Sequence, residues 1–232
     1  MIDMHTHILP GIDDGAVDLA ESMWILERGG RAGVKTFILT PHIKEDADWD
    51  RIHLMRETFG MLRDECTKTG MDANLILGAE IAITPDLPDR IKKNTAVTIN
   101  NRYVLVELSF HQLPVFAEIV LFKLLAGGII PIIAHPERYL YLSGKMEKFA
   151  AWVENGVLFQ INTGSLNGQY GMGVKRFARK LLNEGLISFA GSDVHSRGDI
   201  YRSFSEVYKK VSEMADSDKT AQAIKAMDLC EE

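Results

Sequence analysis

Cysteine is scarce in this chain, which has only Cys66 and Cys230 among its 232 residues. Two cysteines provide neither a disulfide framework nor the paired spacing of a cysteine-based zinc site. A reducing compartment suits such a composition, and we therefore expect a cytoplasmic protein. The N-terminus has no basic segment followed by an apolar one, so no signal peptide is predicted.

The chain also has no excess of positive charge and no long uninterrupted apolar run. The 26 basic residues stand against 32 acidic ones, and this net charge of −6 predicts no nucleic acid partner. The most apolar stretch, residues 115–134, is interrupted by Glu118, Lys123 and Pro131. It therefore predicts a helix followed by a buried strand, and no membrane insertion. The composition leaves the formation of a homo-oligomer open.

The chain does contain a regular series of short apolar runs, which are typical of buried parallel strands. We predict seven strands, at residues 2–5, 35–40, 74–77 with an extension to 81, 103–108, 129–134, 157–161 and 187–190. Helical patterns lie between them, so we expect a parallel α/β fold, either a barrel or a doubly wound sheet. The length fits one domain over residues 1–232, with residues 216–232 as a peripheral tail.

Three of the helical patterns are clear. Residues 52–66 carry apolar side chains at spacings of three and four, with Asp48 or Asp50 as the expected cap and Gly70 as the expected end. Two later amphipathic segments begin near Val174 and Phe204. A short helix is also expected in the tail, around residues 221–227.

Residues that can bind metal ions follow the predicted strands at their carboxyl ends. His5 and His7 are two positions apart, so in a strand both imidazoles would point to one side. The complete set is His5, His7, Asp13, Asp14, His42, Glu80, Glu107, His135, Asp193 and His195. In a parallel barrel these strand ends converge on one mouth. The number of ligands and their mixture of nitrogen and oxygen predict two or three ions of manganese, zinc or iron.

Several other residues have competing interpretations. His53 is expected to be solvent-exposed on its helix, His111 to be structural or at the rim, and Cys66 to lie in the core. Asp3 either orients a histidine or is a solvated strand residue. Asn162 either supports the site or bonds the backbone of a turn.

The motifs at these positions resemble those of the PHP (polymerase and histidinol phosphatase) superfamily. They are His-Thr-His at 5–7, Pro-His at 41–42, Gly-Ala-Glu at 78–80, Val-Glu at 106–107, Ala-His at 134–135 and Ser-Asp-Val-His at 192–195. Residues 1–15, 78–81 and 134–139 more narrowly resemble the bacterial capsule-regulating, manganese-dependent protein-tyrosine phosphatases. This resemblance covers residues 1–208. It implies a distorted TIM-like (β/α)7 barrel with a trinuclear metal site at the C-terminal ends of the strands.

The resemblance also implies how the ligands are shared among three metal ions. The first ion would be held by His5, His7, Glu80 and Asp193, the second by the bridging Glu80 with Glu107 and His135, and the third by Asp14, His42 and His195. Asp13 stays an alternative to Asp14. Carboxylates at positions 14 and 107 match the tyrosine-phosphatase branch better than the histidinol-phosphatase branch. Four carboxylates and three divalent ions leave a net positive field, which suits a phosphate group.

The chemistry implied is hydrolysis of a phosphomonoester by a metal-activated hydroxide that attacks phosphorus in line. Arg138 is the expected phosphate contact, with an ion pair to Glu137 or another carboxylate as the alternative. A second arginine is expected in the family. Arg197 and Arg202 are the options here, although neither has the family's spacing.

The group that protonates the leaving phenolate is less well specified. His42 or His195 would serve as this acid if it is not a metal ligand. Neither cysteine lies in the Cys-x5-Arg loop of thiol-dependent tyrosine phosphatases, so a metal mechanism is favoured.

The resemblance suggests, as substrate, the phosphotyrosine tail of a tyrosine kinase that regulates exopolysaccharide or capsule synthesis. Trp49, Tyr139, Tyr141 and Tyr170 could form an aromatic rim for the phosphotyrosine ring, or could pack as ordinary loop residues. The alternatives are a histidinol-phosphate or nucleotide phosphatase, a PHP-type exonuclease, and a regulatory module with an inactive site. The negative net charge argues against the exonuclease.

Overall fold

The computed structural model describes residues 1–198 and 201–214 as short strands alternating with helices. The strands are β1 (Ile2–Thr6), β2 (Thr36–Leu39), β3 (His42–Ile43), β4 (Asn74–Leu77), β5 (Glu80–Ala82), β6 (Tyr103–Glu107), β7 (Ile130–Ala134), β8 (Leu158–Asn162) and β9 (Phe189–Gly191). The α-helices are α1 (Leu19–Arg31), α2 (Asp46–Asp50), α3 (Ile52–Thr69), α4 (Leu87–Lys93), α5 (Ala117–Ala126), α6 (Met146–Glu154), α7 (Thr163–Asn167), α8 (Met172–Asn183) and α9 (Phe204–Met214). The predicted tail, with its short helix, lies outside the described residues.

The strands form a distorted ring in which every pair of adjacent strands is parallel. One sheet has the order β1-β2-β4 and the other the order β3-β5-β6-β7-β8-β9. Short breaks separate β2 from β3 and β4 from β5, so these four strands form two continuous paths along the chain. The segment after β9 returns to β1, because the Asp193 amide donates to the His5 carbonyl at 2.9 Å and the His7 amide donates to the Val194 carbonyl at 2.9 Å. The seven strand paths confirm the predicted (β/α)7 barrel.

Alternate strand residues contribute to two hydrophobic clusters. Leu105 of β6 and Ile132 of β7 belong to the smaller cluster, whereas their neighbours Val106 and Ile133 belong to the larger one, which includes the helices. This period of two is the one expected when a strand is covered on both faces. The near-continuous apolar runs in the sequence therefore arose from burial on both sides of the barrel wall.

The predicted helices are found, with one correction at a cap. The segment at residues 52–66 is α3, and Gly70 ends it in a left-handed conformation with φ 67°. Its N-cap is Arg51, which makes no side-chain capping bond, so neither Asp48 nor Asp50 caps α3. Asp48 instead accepts the Glu45 amide at 2.9 Å at the start of α2. The prediction failed because α2 and α3 follow each other directly.

The amphipathic segments near Val174 and Phe204 are α8 and α9, and the apolar stretch at residues 115–134 forms α5 and β7. None of the helices within residues 1–198 and 201–214 has both the length and the apolar character needed to cross a membrane.

Candidate metal centre

The carboxyl ends of the strands bring all nine predicted metal ligands to one place. They fall into overlapping groups whose donor atoms all lie within 4.8 Å of one another. The groups are His7, Asp14, His42 and His195; His5, His7 and Asp193; His5, Glu80 and His135; and His42, Glu80 and Glu107. Because His7 and His42 each belong to two groups, the geometry admits more than one division of the ligands among three ions.

His5 and His7 face each other at the end of β1. The His5 Nδ1 lies 2.9 Å from the Gln160 Oε1, and the His7 Nδ1 lies 2.7 Å from the Asp13 Oδ2. Each Nδ1 therefore carries a proton, which leaves a lone pair on each neutral Nε2. These two Nε2 atoms are 2.9 Å apart. Two lone pairs so close require a proton or a cation between them.

Glu80 and Asp193 complete a four-atom cage around that point. The His5 Nε2 is 3.2 Å from the Glu80 Oε2 and 3.4 Å from the Asp193 Oδ1. The His7 Nε2 is 3.4 Å from the same two oxygens. Ligands about 2.1 Å from a tetrahedral ion lie about 3.4 Å from one another. The four spacings between an imidazole nitrogen and a carboxylate oxygen therefore suit a divalent cation, while the 2.9 Å between the two Nε2 atoms is shorter.

The second carboxylate oxygen of Glu80 faces another set of donors. The His135 Nε2 lies 2.9 Å from the Glu80 Oε1 and 3.5 Å from the Glu107 Oε1. Glu80 thus presents one oxygen to His5 and His7 and the other to His135. This arrangement is the one that a carboxylate bridging two ions would adopt.

Asp14 lies close to His42 and His195, whereas Asp13 acts as a hydrogen-bond acceptor. The Asp14 Oδ1 is 3.4 Å from the His42 Nε2 and 3.6 Å from the His195 Nε2. Asp13 uses its Oδ2 to accept both the His7 ring N–H and the His42 backbone N–H, the latter at 3.0 Å. The geometry therefore favours Asp14 as the loop ligand and makes Asp13 the carboxylate that orients His7.

Unpartnered buried atoms give an independent test of whether metal ions fit. Among the residues that the structure describes, the buried His42 Nδ1, Glu80 Oε2 and His135 Nδ1 have no hydrogen-bond partner. The Glu80 Oε2 and the His42 Nδ1 are only 2.9 Å apart. Leaving a buried carboxylate oxygen without a partner costs about 1–3 kcal/mol or more. A cation at this point would satisfy the oxygen, so the residues present suit the metal ions that the resemblance implies.

The backbone is strained at two of these positions. His135 has φ 32° and Asp193 has φ 55°, in the left-handed region that non-glycine residues rarely adopt. Each such residue costs about 1–3 kcal/mol. His135 follows directly on β7 and Asp193 lies two residues after β9, where the chain turns. Strain at two donor residues indicates that this turn serves function rather than stability.

The cluster is electrostatically coupled. Although burial opposes it, the carboxylates of Glu80 and Asp193 raise the pKa of His5 to about 9. Burial, together with the charge of Glu80, raises the pKa of Glu107 to about 7. Burial and the nearby His7 lower the pKa of His195. Without metal ions the carboxylates thus hold protons on the imidazoles, and a bound cation would replace those protons.

An amide pair on β8 connects two of the candidate ligands, and sequence reasoning missed half of it. Besides accepting from His5, Gln160 donates through its Nε2 to the Asn162 Oδ1 at 2.9 Å. The Asn162 Nδ2 in turn donates to the Asp193 Oδ2 at 2.6 Å. The competing interpretations of Asn162 thus give way to a supporting contact. The signal that could have identified Gln160 is that it is a lone amide within the apolar run at residues 157–161.

Arg138 lies between two aromatic rings at the edge of the cluster. Its Cζ is 4.6 Å from the ring centres of both Phe110 and Tyr170, and its Nη1 is 3.3 Å from the Asp193 Oδ2. Of the alternative pairings, the one with Glu137 is not found, because Glu137 is fully buried and accepts from the Asn162 amide. The ion pair with another carboxylate is found, and its partner is Asp193. Phe110 was not predicted, although it follows a strand end like the other site residues.

The structure decides between the open alternatives for two residues. Tyr139 is fully buried, and its hydroxyl accepts the Leu108 amide at 2.9 Å, so it packs in the core rather than forming a rim. Asp3 is fully buried and so is not a solvated strand residue; within the described part of the chain it makes no hydrogen bond to an imidazole but accepts the His5 amide at 3.4 Å, the Ser192 amide at 2.8 Å and the Tyr201 hydroxyl at 2.8 Å. Asp3 instead holds the chain after β9. In both cases side-chain direction and long-range partners decided the outcome.

The remaining predicted residues lie in ordinary surroundings. Tyr141 is half-buried and donates to the Ser109 carbonyl at 2.7 Å, and Trp49 is half-buried beneath the guanidinium of Arg90. As predicted, His53 and His111 are exposed. Cys66 is buried in the core, as predicted.

A cavity of about 540 Å³ opens beside the cluster. Its lining includes Arg138, Tyr170, Asp193, His195 and Arg197. Tyr170 and the guanidinium of Arg138 thus lie next to the candidate metal ligands Asp193 and His195. Arg202 does not line this cavity but an adjoining groove.

Comparisons with known proteins agree in sequence and in structure. The model of the family described as capsular polysaccharide synthesis, CpsB/CapC, matches residues 1–227. Tyrosine-protein phosphatase YwqE of Bacillus subtilis (strain 168) is 34% identical over 197 residues, which cover 84% of this chain and 78% of that protein. Tyrosine-protein phosphatase CpsB of Streptococcus agalactiae serotype V is 31% identical over 202 residues, covering 84% of this chain and 83% of that one.

Solved structures extend the similarity to nearly the whole chain. A chain from the crystal structures of YwqE of Bacillus subtilis and CpsB of Streptococcus pneumoniae, described as metal-dependent tyrosine phosphatases, matches with a TM-score of 0.85. It is 31% identical and covers 99% of this chain and 93% of its own length. A histidinol phosphate phosphatase from Lactococcus lactis covers 92% of this chain and 93% of its own length, with a TM-score of 0.61 at 11% identity, and thus shares the fold alone.

Proposed function

Because the chain belongs to the CpsB/CapC family of capsular polysaccharide synthesis proteins, we propose that it is a metal-dependent protein-tyrosine phosphatase. The observation that supports this most directly is the cluster of nine ligand-type side chains beside Arg138 and Tyr170. A cationic group next to an aromatic ring and a metal centre suits an aryl phosphate.

We propose three divalent ions, with manganese as the physiological metal and zinc or iron as alternatives. His5, His7, Glu80 and Asp193 would hold the first ion, Glu80, Glu107 and His135 the second, and Asp14, His42 and His195 the third. When bound, such ions neutralise the charge of a phosphate group and lower the pKa of water so that hydroxide becomes available.

Arg138 is the residue that we propose to bind the phosphate. Its guanidinium contacts the rings of Phe110 and Tyr170 and the carboxylate of Asp193, so little freedom is lost when it receives a pair of phosphate oxygens. The second arginine contact stays open between Arg197 and Arg202, although only Arg197 lines the cavity.

His42 and His195 have two proposed parts, as metal ligands and as the acid for the leaving phenolate. The contacts of both rings with Asp14 favour the part as ligands. A phenolate leaves readily enough that a strong acid is less important for tyrosine phosphate than for an alkyl phosphate.

The physiological partner that we propose is the phosphotyrosine tail of a bacterial tyrosine kinase that regulates capsule or exopolysaccharide synthesis. A cytoplasmic location, a single domain over residues 1–232 and the formation of a homo-oligomer stay predictions.

The test is phosphate release by chelator-stripped protein, with Mn²⁺ added back or withheld. A phosphotyrosine peptide, a phosphoserine peptide and histidinol phosphate are compared side by side. We expect manganese-dependent release from the phosphotyrosine peptide. A preference for histidinol phosphate would assign the protein to the small-molecule phosphatases, and no release from any substrate would overturn the proposal.

The part of Arg138 is tested separately. Arg138→Ala should lower kcat/KM by roughly a hundredfold while the bound metal, measured by mass spectrometry, stays unchanged. Arg56→Ala, on the exposed side of α3, is the control for the loss of one positive charge. Activity that survives in Arg138→Ala would contradict the assigned contact.

A further inference from the structure

A groove rich in arginine adjoins the cavity of the metal centre. We call it the arginine groove; it has a volume of about 520 Å³ and is lined by Trp24, Arg28, Arg31, Tyr201 and Arg202. Gly198 lines both the groove and the cavity that contains His195. The two spaces therefore meet at Gly198.

Two guanidinium groups lie over a single indole ring in this groove. The Cζ atoms of Arg28 and Arg197 are 5.0 Å and 5.8 Å from the ring centre of Trp24. Trp24 is half-buried, whereas both arginines are exposed. A guanidinium stacked on an aromatic ring keeps its N–H edge free for an anion and loses less side-chain freedom when the anion binds.

The guanidinium groups of these two arginines form no ion pair within the described part of the chain, although the Arg197 backbone amide donates to the Glu21 carboxylate at 3.0 Å. No carboxylate oxygen of residues 1–198 or 201–214 lies within 4.0 Å of the guanidinium nitrogens of Arg28 or Arg197. Arg31, which also lines the groove, is paired with Glu27 at 2.6 Å. Arg28 and Arg197 thus bring two guanidinium groups without an ion pair to the described residues onto one ring, in a chain whose net charge is −6.

We propose that the arginine groove binds an anionic side chain of the substrate, either a carboxylate or a second phosphate, on the same chain whose phosphotyrosine enters the metal centre. This inference rests on the proposed function and specifies the substrate as an acidic or multiply phosphorylated segment. The charge complementarity and the meeting of the groove with the cavity at Gly198 support it.

The test uses a set of phosphotyrosine peptides that differ in one flanking position. Glutamate, phosphoserine or glutamine is placed in turn at each position on either side of the phosphotyrosine. At low ionic strength, the best placement of an anion should raise kcat/KM about tenfold over glutamine, mainly through KM. The gain should shrink as salt is added, because the groove is exposed. A gain with glutamate identifies a carboxylate, and a gain with phosphoserine alone identifies a phosphate.

A matched pair of variants assigns the gain to the groove. Arg28→Gln should abolish most of the preference, whereas Arg56→Gln, which removes the same charge from α3, should retain it. Turnover of p-nitrophenyl phosphate, which has no flanking residues, should be the same in both variants. Arg28→Gln keeps a good helix former at an exposed position, so the fold should be unaffected.

Two outcomes would overturn the inference: no position at which an anion improves kcat/KM, or an equal loss in the two variants. The failure of the proposed function looks different, since then no phosphotyrosine peptide is hydrolysed with added Mn²⁺. In that case the affinities of Arg28→Gln and Arg56→Gln for the same peptides, with a phosphonate in place of the phosphotyrosine ester, are compared by calorimetry.

Discussion

Gln160 is predicted to control metal affinity although it would touch no metal ion. Its side chain makes three contacts, accepting from the His5 Nδ1 at 2.9 Å and the His135 amide at 3.4 Å and donating to the Asn162 Oδ1 at 2.9 Å. In Gln160→Met all three are lost at nearly constant volume. His5 is then free to move its proton to Nε2, the atom that faces His7 and the acidic cluster.

The size of the effect follows from these contacts. A buried donor left without a partner costs about 1–3 kcal/mol, and the loss of a residue that orients a metal ligand typically weakens metal binding by about 10–100-fold. We expect Gln160→Met to weaken Mn²⁺ binding within that range, as measured by competition with a fluorescent chelator. Urea unfolding in excess chelator should give a separate loss of about 2–4 kcal/mol, reflecting more than one broken contact.

Gln160→Glu is the control, because its carboxylate still accepts the His5 Nδ1 proton. When both variants are folded, Gln160→Glu should bind Mn²⁺ more tightly than Gln160→Met. If the folded Gln160→Met protein binds Mn²⁺ as tightly as the natural chain, or if both variants lose the same affinity, the hydrogen bond to His5 does not orient the ligand and the reasoning is refuted.

Three further predictions concern the same site. Neighbouring carboxylates raise the pKa of His5 to about 9, against the effect of burial. Metal uptake at neutral pH should therefore release protons, and the metal affinity should rise with pH up to about 9. Calorimetry in buffers of different ionisation enthalpy measures the proton release, and uptake without it would contradict the prediction. A Cβ at Gly191 would lie 2.5 Å from the Gln160 Nε2 and 2.7 Å from the His5 Cβ. Gly191→Ala should therefore lower the free energy of unfolding, measured in urea titrations, by about 1–3 kcal/mol. An unchanged unfolding midpoint would show that this packing is loose. Tyr170→Leu should raise KM for an aryl phosphate about threefold to tenfold, while Tyr170→Phe should not, because the ring over Arg138 is kept; equal KM values in the two variants would argue against a stacked guanidinium.

Much of the fold could be predicted because its signals are local. Apolar runs such as those in β6 and β7 lie in a barrel wall covered on both faces, so burial produced a pattern that needs no knowledge of distant residues. The end of α3 at Gly70 is equally local, since a left-handed residue there favours glycine. The cap of α3 was missed because a neighbouring helix competed for Asp48.

The clustering of the site was predictable in part because parallel strands end on the same side. His5 lies near the end of β1, Glu80 begins β5 and His135 follows β7, and the parallel arrangement of these strands brings the three side chains close together. The choice between Asp13 and Asp14 was different. Adjacent residues of one loop look alike in sequence, and only the fold shows that Asp13 accepts from His7 while Asp14 approaches His42.

The sequence by itself determined a parallel α/β fold and the set of donor residues, since both depend on residue type and spacing along the chain. The choice of a barrel followed from the resemblance of the motifs to a known family. Tertiary structure alone decided how those donors and the groups beside them are held: by the Gln160–Asn162 pair between His5 and Asp193, by the two rings near Arg138, and by the stacking of Arg197 on Trp24. Apart from the link between Gln160 and Asn162, these contacts join residues far apart in the chain. Their existence depends on side-chain direction and on distances of a few ångströms, which no periodicity in the sequence encodes.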